Sequence, residues 1–469
     1  MPEDVATRAD APESWTRLLP APLRPIAARF FPQGAILLAV VTFGSYVMGL
    51  VRDVVQTRTF GAGRELDAYL AAFAIPEIAL GVLVASGLSA PFVPIFLALR
   101  NEDGRAANDF AGTILTLAVV IIGVATPVLW VIAPMTVELT GAGFNPQQRA
   151  LYTDLFRLML VTPVLFALSD VLGEVLVAER RFMGYALAPV LYNGGIVLGM
   201  LLFAGSLGIF AGAIGAIMGA VLHLGIRLLW LRGSTVRFRP ALRVRTRAFR
   251  EFVKLMLPRM ASHPIDPLTF TILGSLATTV AVGGLTSLSL ARNFQSVPVS
   301  VIAVSFALAV FPTLSAAAAL GDRALFTRIL VRNAITIAVL TTLAAIALAI
   351  LSRFVIQLFL RGDAFTQEAA DRTNLVLVVM ALAIPFESLT HLLSRAIFAT
   401  RNTILQVLAS VGSFVVVLVT AQSLTPAIGI VGIPLAFALG MAAKVAFLAV
   451  ALIPRVRGIQ PVPDLAEET

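Results

Sequence analysis

Long apolar runs alternate with short polar segments along almost the whole chain. A helix needs about 20 mostly apolar residues to cross the hydrocarbon core of a bilayer, and twelve runs satisfy that pattern. Segments 1 to 12, in chain order, are residues 34–51, 68–98, 110–134, 152–178, 185–205, 208–230, 252–281, 285–316, 329–352, 374–399, 404–424 and 428–453. The pattern predicts an all-α polytopic membrane protein with about 12 transmembrane helices.

Composition supports this fold class and excludes several functions. With 58% hydrophobic and 13% charged residues, the 469-residue chain has too few polar side chains to cover a soluble globule. The chain has no cysteine, which excludes disulfides and thiol catalysis, and its three histidines show no metal-ligand spacing. Neither a nucleotide-binding lysine motif nor a zinc motif nor a serine nucleophile elbow is found. The sequence predicts a transporter and not an enzyme.

Arginines lie in alternate polar segments, on one side of the predicted helices. They are Arg8, Arg17, Arg24 and Arg29, then Arg100, Arg105, Arg180, Arg181, the run from Arg232 to Arg250, Arg323, Arg328, Arg401, Arg455 and Arg457. The opposite loops are bare or balanced by acids. By the positive-inside rule, both termini are expected in the cytoplasm. The first 33 residues lack an apolar core, so we interpret them as a cytoplasmic leader and not a signal peptide.

The basic excess, 35 Lys and Arg against 26 Asp and Glu, lies in loops without interleaved aromatic residues. This pattern favours attraction to anionic lipid headgroups over binding of nucleic acid. The oligomeric state is not predicted by the sequence.

An internal repeat is suggested by two matches in nearly the same register. Residues 60–76 align without gaps with residues 282–298, and Ala178 and Arg180 align with Ala399 and Arg401. Six helices per repeat keep the orientation, so the halves should be related by a pseudo-two-fold axis along the membrane normal. The predicted parts are a leader (1–33), an N-lobe (34–230), a basic cytoplasmic linker (231–251), a C-lobe (252–454) and a cytoplasmic tail (455–469).

Charged residues at membrane depth are the candidates for a transport site. Arg52 and Asp53 end segment 1, Asp67 opens segment 2, and Arg292 lies seven residues into segment 8. Burying an ionised group in the bilayer costs at least about 2.5 kcal/mol, so such residues usually face a wet cavity or a partner. Guanidinium groups suit phosphate and carboxylate oxygens. The alternative for Arg52 is a residue at the membrane interface that pairs with Asp53.

A possible ion site lies in segment 7, where Asp266 stands between Pro264 and Pro267. Proline frees backbone carbonyls in a membrane helix, and such carbonyls beside a carboxylate suit a cation. The alternative is a simple packing kink. Two further pairs at i, i+4 spacing, Asp170 with Glu174 and Glu387 with His391, are either proton or ion sites or satisfied interlobe hydrogen bonds, and we favour the hydrogen bonds.

The first two segments resemble the signature of the MurJ/MviN family, the peptidoglycan lipid II flippases of the multidrug/oligosaccharidyl-lipid/polysaccharide exporter superfamily. Matching residues are Ser45, the run GLVRD at 49–53, FGAG at 60–63, Asp67, Ala68, Ala72, Phe73, Pro76, FVP at 92–94, Ala291, Arg292, Pro298 and FPTLS at 311–315. The resemblance implies a two-lobed, alternating-access transporter of the bacterial cytoplasmic membrane, whose central cavity holds a lipid-linked pyrophosphate and its sugars with arginines. It places Ser45, Arg52, Asp67 and Arg292 at substrate-binding positions.

The chain departs from the family pattern at several positions. Tyr46 stands where an arginine is usual, Leu80 and Gly81 replace an arginine pair, and Ala85 and Ser86 replace an acid and a glycine. Family members also have two further C-terminal helices, and this chain is expected to end after segment 12. Each lost charge-assisted contact is worth roughly 1.5 to 3 kcal/mol, so the departures weaken the expected grip on a diphosphate.

The sequence therefore favours a flippase for a lipid-linked anionic substrate, most plainly the peptidoglycan precursor lipid II. Arg52 and Arg292 would face the pyrophosphate from opposite lobes, with Asp67 orienting Arg52 or a sugar. No cofactor is expected; the driving force would be the membrane potential or a coupling cation, Na⁺ or H⁺, with Asp266 as its ligand. A cation-coupled multidrug-type antiporter and a non-transporting envelope scaffold that docks enzymes on residues 232–250 stay open as alternatives.

Overall fold

The computed structural model describes residues 35–234, 236–262 and 264–459, which form helices joined by short turns, with no strand in these ranges. The predicted leader, His263 and the last ten residues lie outside the described residues. All twelve predicted segments coincide with a helix or a pair of helices. The predicted all-α fold class is therefore confirmed.

The described residues of the first half form eight helices, because two of the six predicted segments are broken. They are α1 (Ala35–Phe60), α2 (Arg64–Leu80), α3 (Ser86–Glu102), α4 (Gly104–Thr140), α5 (Pro146–Met159), α6 (Val161–Ala178), α7 (Phe182–Leu207) and α8 (Phe210–Leu231). A π-helical turn, Gly81–Ala85, joins α2 to α3 and lies just after Pro76. Proline removes a backbone donor, and the wider turn absorbs the break.

The second half repeats this order after an additional amphipathic helix. It consists of α9 (Arg247–Ser262), α10 (Ile265–Val280), α11 (Gly284–Pro298), α12 (Ser305–Ala319), α13 (Arg323–Phe359), α14 (Gln367–Ala381), α15 (Ala383–Ala399), α16 (Ile404–Ile428) and α17 (Gly432–Arg457). A second π-helical stretch, Val299–Val304, follows Pro298 and joins α11 to α12.

Length and composition alone identify eight described helical stretches that could cross a membrane, or nine if the bent pair α14–α15 is one span. One of these stretches, residues 404–457, contains α16 and α17, which pack against each other as a hairpin. Helix α1 and the pair α9–α10 account for the two predicted segments that this criterion leaves out. The structure is thus consistent with about twelve spans.

Backbone geometry shows the repeat directly. Gly61 and Gly283, which the sequence alignment superposes, both have a positive φ, of 67° and 76°. Arg180 and Arg401, also superposed, have φ of 59° and 57° and are the described non-glycine residues in this region of φ. A left-handed conformation is costly for a residue with a Cβ, so its occurrence at equivalent turns indicates a duplicated backbone.

Each lobe ends in a hairpin, α7–α8 in the first and α16–α17 in the second, that buries small residues. A Cβ placed on Gly199 would lie 2.3 Å from the Cα of Gly215, and one on Gly195 would lie 2.3 Å from the Cα of Gly219. Such contacts let two membrane helices approach closely. These glycines therefore serve helix packing.

The basic linker and α9 pack on the N-lobe. The backbone N–H groups of Ala241 and Arg243 donate to the hydroxyls of Thr116 and Thr113 on α4. Phe252 of α9 is buried and stacks edge-on against Phe110, with ring centroids 5.8 Å apart. The first turns of predicted segment 7 are thus held by the other lobe.

Candidate functional site

Three cavities meet around the middle of α11. The N-lobe cavity, of about 430 Å³, is lined by residues that include Ser45, Arg52, Asn193, Arg227 and Asn293. The interlobe cavity, of about 500 Å³, lies between α2, α10 and α11 and shares Asn293 with the first. The C-lobe cavity, of about 280 Å³, shares Phe270 and Arg292 with the interlobe cavity.

Arg52 lies in the N-lobe cavity and is held by three hydrogen bonds. Its Nε and Nη2 donate to Oδ1 of Asp53 at 3.2 and 2.9 Å, and its Nη1 donates to Oδ1 of Asn193 at 3.0 Å. The other oxygen of Asp53, Oδ2, accepts from Nδ2 of Asn293 in the C-lobe at 2.6 Å. The Arg52–Asp53 pair is therefore a structural link between the lobes as well as a cation in the cavity wall.

A second arginine, Arg227 of α8, lines the same cavity. It is buried, donates to the backbone oxygen of Ser169 at 2.5 Å and pairs with Asp170 at 3.0 Å. Its guanidinium also lies over the ring of Tyr185, 5.3 Å from the centroid. The N-lobe cavity therefore contains two guanidinium groups, each already paired with one carboxylate.

Ser45 and Tyr46 line the mouth of the N-lobe cavity. Tyr46 is exposed, and its hydroxyl contacts the hydroxyl of Ser300 at 3.4 Å, across the gap between the lobes. The aromatic residue at this position thus supplies a hydroxyl and an apolar ring where the family resemblance implies a positive charge.

Arg292, the neighbour of Asn293 in α11, lines the interlobe cavity and the C-lobe cavity. Its guanidinium binds Glu387 through two hydrogen bonds of 2.6 and 2.8 Å and Gln295 through one of 2.5 Å. The rings of Phe270 and Phe437 lie 4.4 and 5.3 Å from it. Arg292 is thus held within its own lobe by a carboxylate and two aromatic faces.

Asp67 lies away from these arginines, at the end of the molecule where the N-lobe and the C-lobe are in contact. Oδ1 accepts from the backbone N–H of Thr286 at 2.8 Å and from its hydroxyl at 2.7 Å, and Oδ2 accepts from the N–H of Gly283 at 2.7 Å. A carboxylate is stabilised at a helix N-terminus by the free N–H groups and the helix dipole. In this structure Asp67 caps α11 of the opposite lobe, so the expected contact with Arg52 is not present.

Further contacts close the same end of the molecule. The N–H groups of Ala142 and Gly143 donate to the hydroxyls of Ser275 and Thr278 in α10. Arg58, at the end of α1, donates to the backbone oxygens of Leu358 and Phe359. These turns lie at the helix ends opposite the turns with Arg180 and Arg401, so the lobes are joined at that end of the molecule.

Asp266, the candidate ion ligand, lines the C-lobe cavity with its side chain 71% exposed. Nζ of the buried Lys444 lies 3.8 Å from its Oδ1. An ammonium group thus stands where a coupling cation would be expected. Among the described residues, no group of three or more His, Asp or Glu side chains could hold a metal ion.

The sequence pattern did not identify three residues that contact the predicted ones, namely Arg227, Asn193 and Asn293. Arg227 could have been found as a charge within the last turns of an apolar run, four residues after His223. Asn193 and Asn293 carry no such signal, because a single amide in an apolar helix is compatible with many roles. Glu387 was recognised beside His391, but its partner Arg292 is 95 residues away.

The helix order, the duplicated backbone and the arginine-lined cavities suit comparison with known transporters. The family model described as "Lipid II flippase MurJ" matches residues 57–462. The chain belongs to the MurJ lipid II flippase family. The resemblance found in the sequence is thereby confirmed.

Relatives in this family are distant in sequence but cover most of the chain. A lipid II flippase MurJ of Burkholderia cenocepacia is 24% identical over 90% of this chain and 83% of its own. A probable lipid II flippase MurJ of Borreliella burgdorferi is 24% identical over 78% of this chain and 72% of its own.

Two solved structures share the fold of this chain. A lipid II flippase MurJ in an inward closed conformation superposes with a TM-score of 0.77, at 23% identity over 90% of both chains. An inward-facing multidrug resistance transporter of the MATE family gives a TM-score of 0.76 at 15% identity, over 89% of this chain and 98% of its own. The two-lobed architecture is therefore shared by MurJ and MATE transporters.

Proposed function

We propose that the protein is a flippase that moves the peptidoglycan precursor lipid II across the bacterial cytoplasmic membrane by alternating access. Family membership over residues 57–462 is the observation that carries this proposal. The cavities support it, because Arg52, Arg227 and Arg292 surround the space between two lobes. On this proposal the protein is a transporter, with no catalytic step.

The arrangement suits a bulky anionic headgroup. Arg52 keeps 28% of its side chain exposed, and Arg292 keeps 26%, so each can add a substrate oxygen without leaving its carboxylate. Charge-assisted bonds from a planar guanidinium to a phosphate are stronger than neutral ones. Two paired arginines in neighbouring cavities would bind a pyrophosphate reversibly, as a carrier requires.

The orientation that we propose has both termini in the cytoplasm, in agreement with the arginine-rich turns. The interlobe contacts of Asp67 and Arg58 then lie on the outer side. A cavity held closed on the outside would load its substrate from the cytoplasm, where lipid-linked precursors are made.

We propose that the membrane potential is the driving force for transport. Lys444 beside Asp266 weakens the case for Na⁺ or H⁺ at that carboxylate, since like charges repel at close range. Moving one elementary charge across 100 mV is worth about 2.3 kcal/mol, and an interior-negative potential drives an anionic headgroup outwards.

Complementation of a conditional lipid II flippase mutant tests this function. Arg52→Gln and Arg292→Gln should abolish growth rescue while the protein still accumulates in the membrane. Arg353→Gln is the matched control, because Arg353 is 69% exposed and lies outside the three cavities. If both cavity variants rescue as well as the control, the central-arginine mechanism is wrong.

A cation-coupled multidrug antiporter is the second candidate, favoured by the likeness to the MATE transporter and by Tyr46, Leu80 and Gly81 where the family resemblance implies arginines. Vesicles that contain the purified protein separate the two functions. Export of a fluorescent dye that depends on a Na⁺ or H⁺ gradient supports the antiporter, whereas translocation of a fluorescent lipid II without either gradient supports the flippase.

A further inference from the structure

The C-lobe cavity has its own ring of charged residues, apart from Arg52 and Arg227. Helices α10, α11, α15, α16 and α17 enclose it. Lys444 lies near the middle of α17, whereas Arg395 and Gln406 lie next to the basic turn that joins α15 to α16. The cavity thus extends from mid-membrane towards the arginine-rich side of the protein.

Positive charge in this cavity exceeds negative charge. The lining contains Arg292, Arg395 and Lys444 against Asp266 and Glu387. Arg292 and Glu387 neutralise each other through their paired hydrogen bonds, and Lys444 faces Asp266. Arg395 has no carboxylate within ion-pair distance among the described residues. Its described contact is with the ring of Phe311, 5.5 Å away.

Hydrogen-bond donors are in excess as well. The oxygens of Glu387 accept three bonds from Arg292 and Gln295, and Oε1 of Gln406 accepts from Ser394 at 2.6 Å. By contrast, the ammonium of Lys444, the guanidinium of Arg395 and the amide nitrogen of Gln406 donate to no described residue. The carboxylate that faces Lys444 is that of Asp266, and its Oδ1 lies 3.8 Å from Nζ, too far for a hydrogen bond.

We propose that the C-lobe cavity is an anion site for an oxyanion of the phosphate class, held by Lys444 and Arg395. Charged groups buried in a membrane protein need a partner or a wet cavity, and a phosphate would supply both the missing charge and the missing acceptors. The volume of about 280 Å³ admits a phosphate with its water. Free phosphate and the headgroup of an anionic phospholipid share this chemistry.

This site does not depend on the proposed flippase activity, because it shares only Phe270 and Arg292 with the interlobe cavity and none of its residues with the N-lobe cavity. Binding is therefore tested on the purified protein, without any transport assay. A failure of this proposal leaves the complementation test above unaffected, and the reverse also holds.

The experiment measures the thermal unfolding midpoint of the full-length protein in neutral detergent, titrated with sodium phosphate against sodium chloride at equal ionic strength. Phosphate should raise the midpoint of the native protein, and Arg395→Gln and Lys444→Gln should each need at least about fivefold more phosphate. Arg328→Gln is the matched control, since Arg328 is exposed and lies outside the cavity. ³¹P line broadening gives a second readout for variants that are destabilised.

Nanodiscs distinguish the two sources of phosphate. If phosphatidic acid in the bilayer abolishes the effect of added phosphate, the occupant is a lipid headgroup; if phosphate acts equally in neutral and anionic nanodiscs, the occupant is the free anion. Either result supports the site. No phosphate effect, an effect equal in all variants, or stabilisation by Na⁺ in place of phosphate would overturn it.

Discussion

At the scale of single residues, three arginines that line the cavities are each paired with a carboxylate of their own lobe. Arg292 binds Glu387, Arg227 binds Asp170, and Arg52 binds Asp53. Among the described residues, the amide of Asn293 is the group that links one of these pairs, Arg52–Asp53, to the other lobe. A cavity built from paired arginines keeps its positive surface without leaving a bare charge in the bilayer.

The Arg292–Glu387 pair should be strongly coupled, and a double-mutant cycle measures this. Arg292→Leu and Glu387→Leu should each lower the free energy of unfolding by roughly 1.5 to 3 kcal/mol, because each leaves a buried charge without its partner. The double variant should lose much less than the sum of the two. Denaturant titration in detergent gives the three values, and additive losses would show that the pair is not a unit.

At the scale of elements, proline and glycine positions decide where helices break and how closely they meet. Pro76 and Pro298 each precede a π-helical stretch, at equivalent points of the two lobes. Gly283 lies directly before α11 and has a positive φ, and a Cβ there would lie 2.1 Å from the backbone oxygen of Ala62 in the other lobe. Gly233, in the turn after α8, has a similar φ of 77°, with open space around it.

Gly283→Ala and Gly233→Ala therefore separate backbone strain from interlobe contact. Gly233→Ala should cost about 1 to 2 kcal/mol, the cost of a left-handed residue with a Cβ. Gly283→Ala should cost clearly more, because the added methyl group also meets a carbonyl that cannot rotate away. Unfolding midpoints of the two purified variants make the comparison, and equal losses would mean that the lobes do not touch at this turn.

At the scale of the whole molecule, the two lobes are joined at one end by polar contacts to backbone. Asp67 caps α11, Arg58 binds the end of α13, and the turn after α4 binds α10. Small rearrangements could exchange these bonds for water, since each is a hydrogen bond of modest net strength. Such a contact suits a gate better than a continuous apolar interface would.

Opening of this gate can be followed by cysteine labelling, since the chain has no cysteine of its own. Ser289→Cys places a thiol in the interlobe cavity. Asp67→Asn removes the charge that caps α11. With both termini in the cytoplasm, as proposed, a membrane-impermeant maleimide added outside should then label this thiol several-fold faster. Glu65→Gln, a change at an exposed neighbouring acid, is the control. Unchanged labelling would show that Asp67 does not hold the outer side closed.

Much of the architecture was accessible from the sequence, because the bilayer imposes simple rules. Apolar runs of about 20 residues predicted the spans, and the match between residues 60–76 and 282–298 predicted the duplication that Gly61 and Gly283 show in their backbone. Arg52 and Arg292 were predicted at cavity positions for the same reason, since a charge in an apolar run needs somewhere polar to go.

The sequence by itself determined the fold class, the repeat and the presence of charge at membrane depth, because these depend on local composition and period. Only the tertiary structure decided the partners. Asp67 caps a helix more than 200 residues away, Lys444 stands beside Asp266, and Asn293 links the lobes through Asp53. Distances and directions between side chains on different helices depend on how the lobes pack. The spacing of residues along the sequence does not encode them.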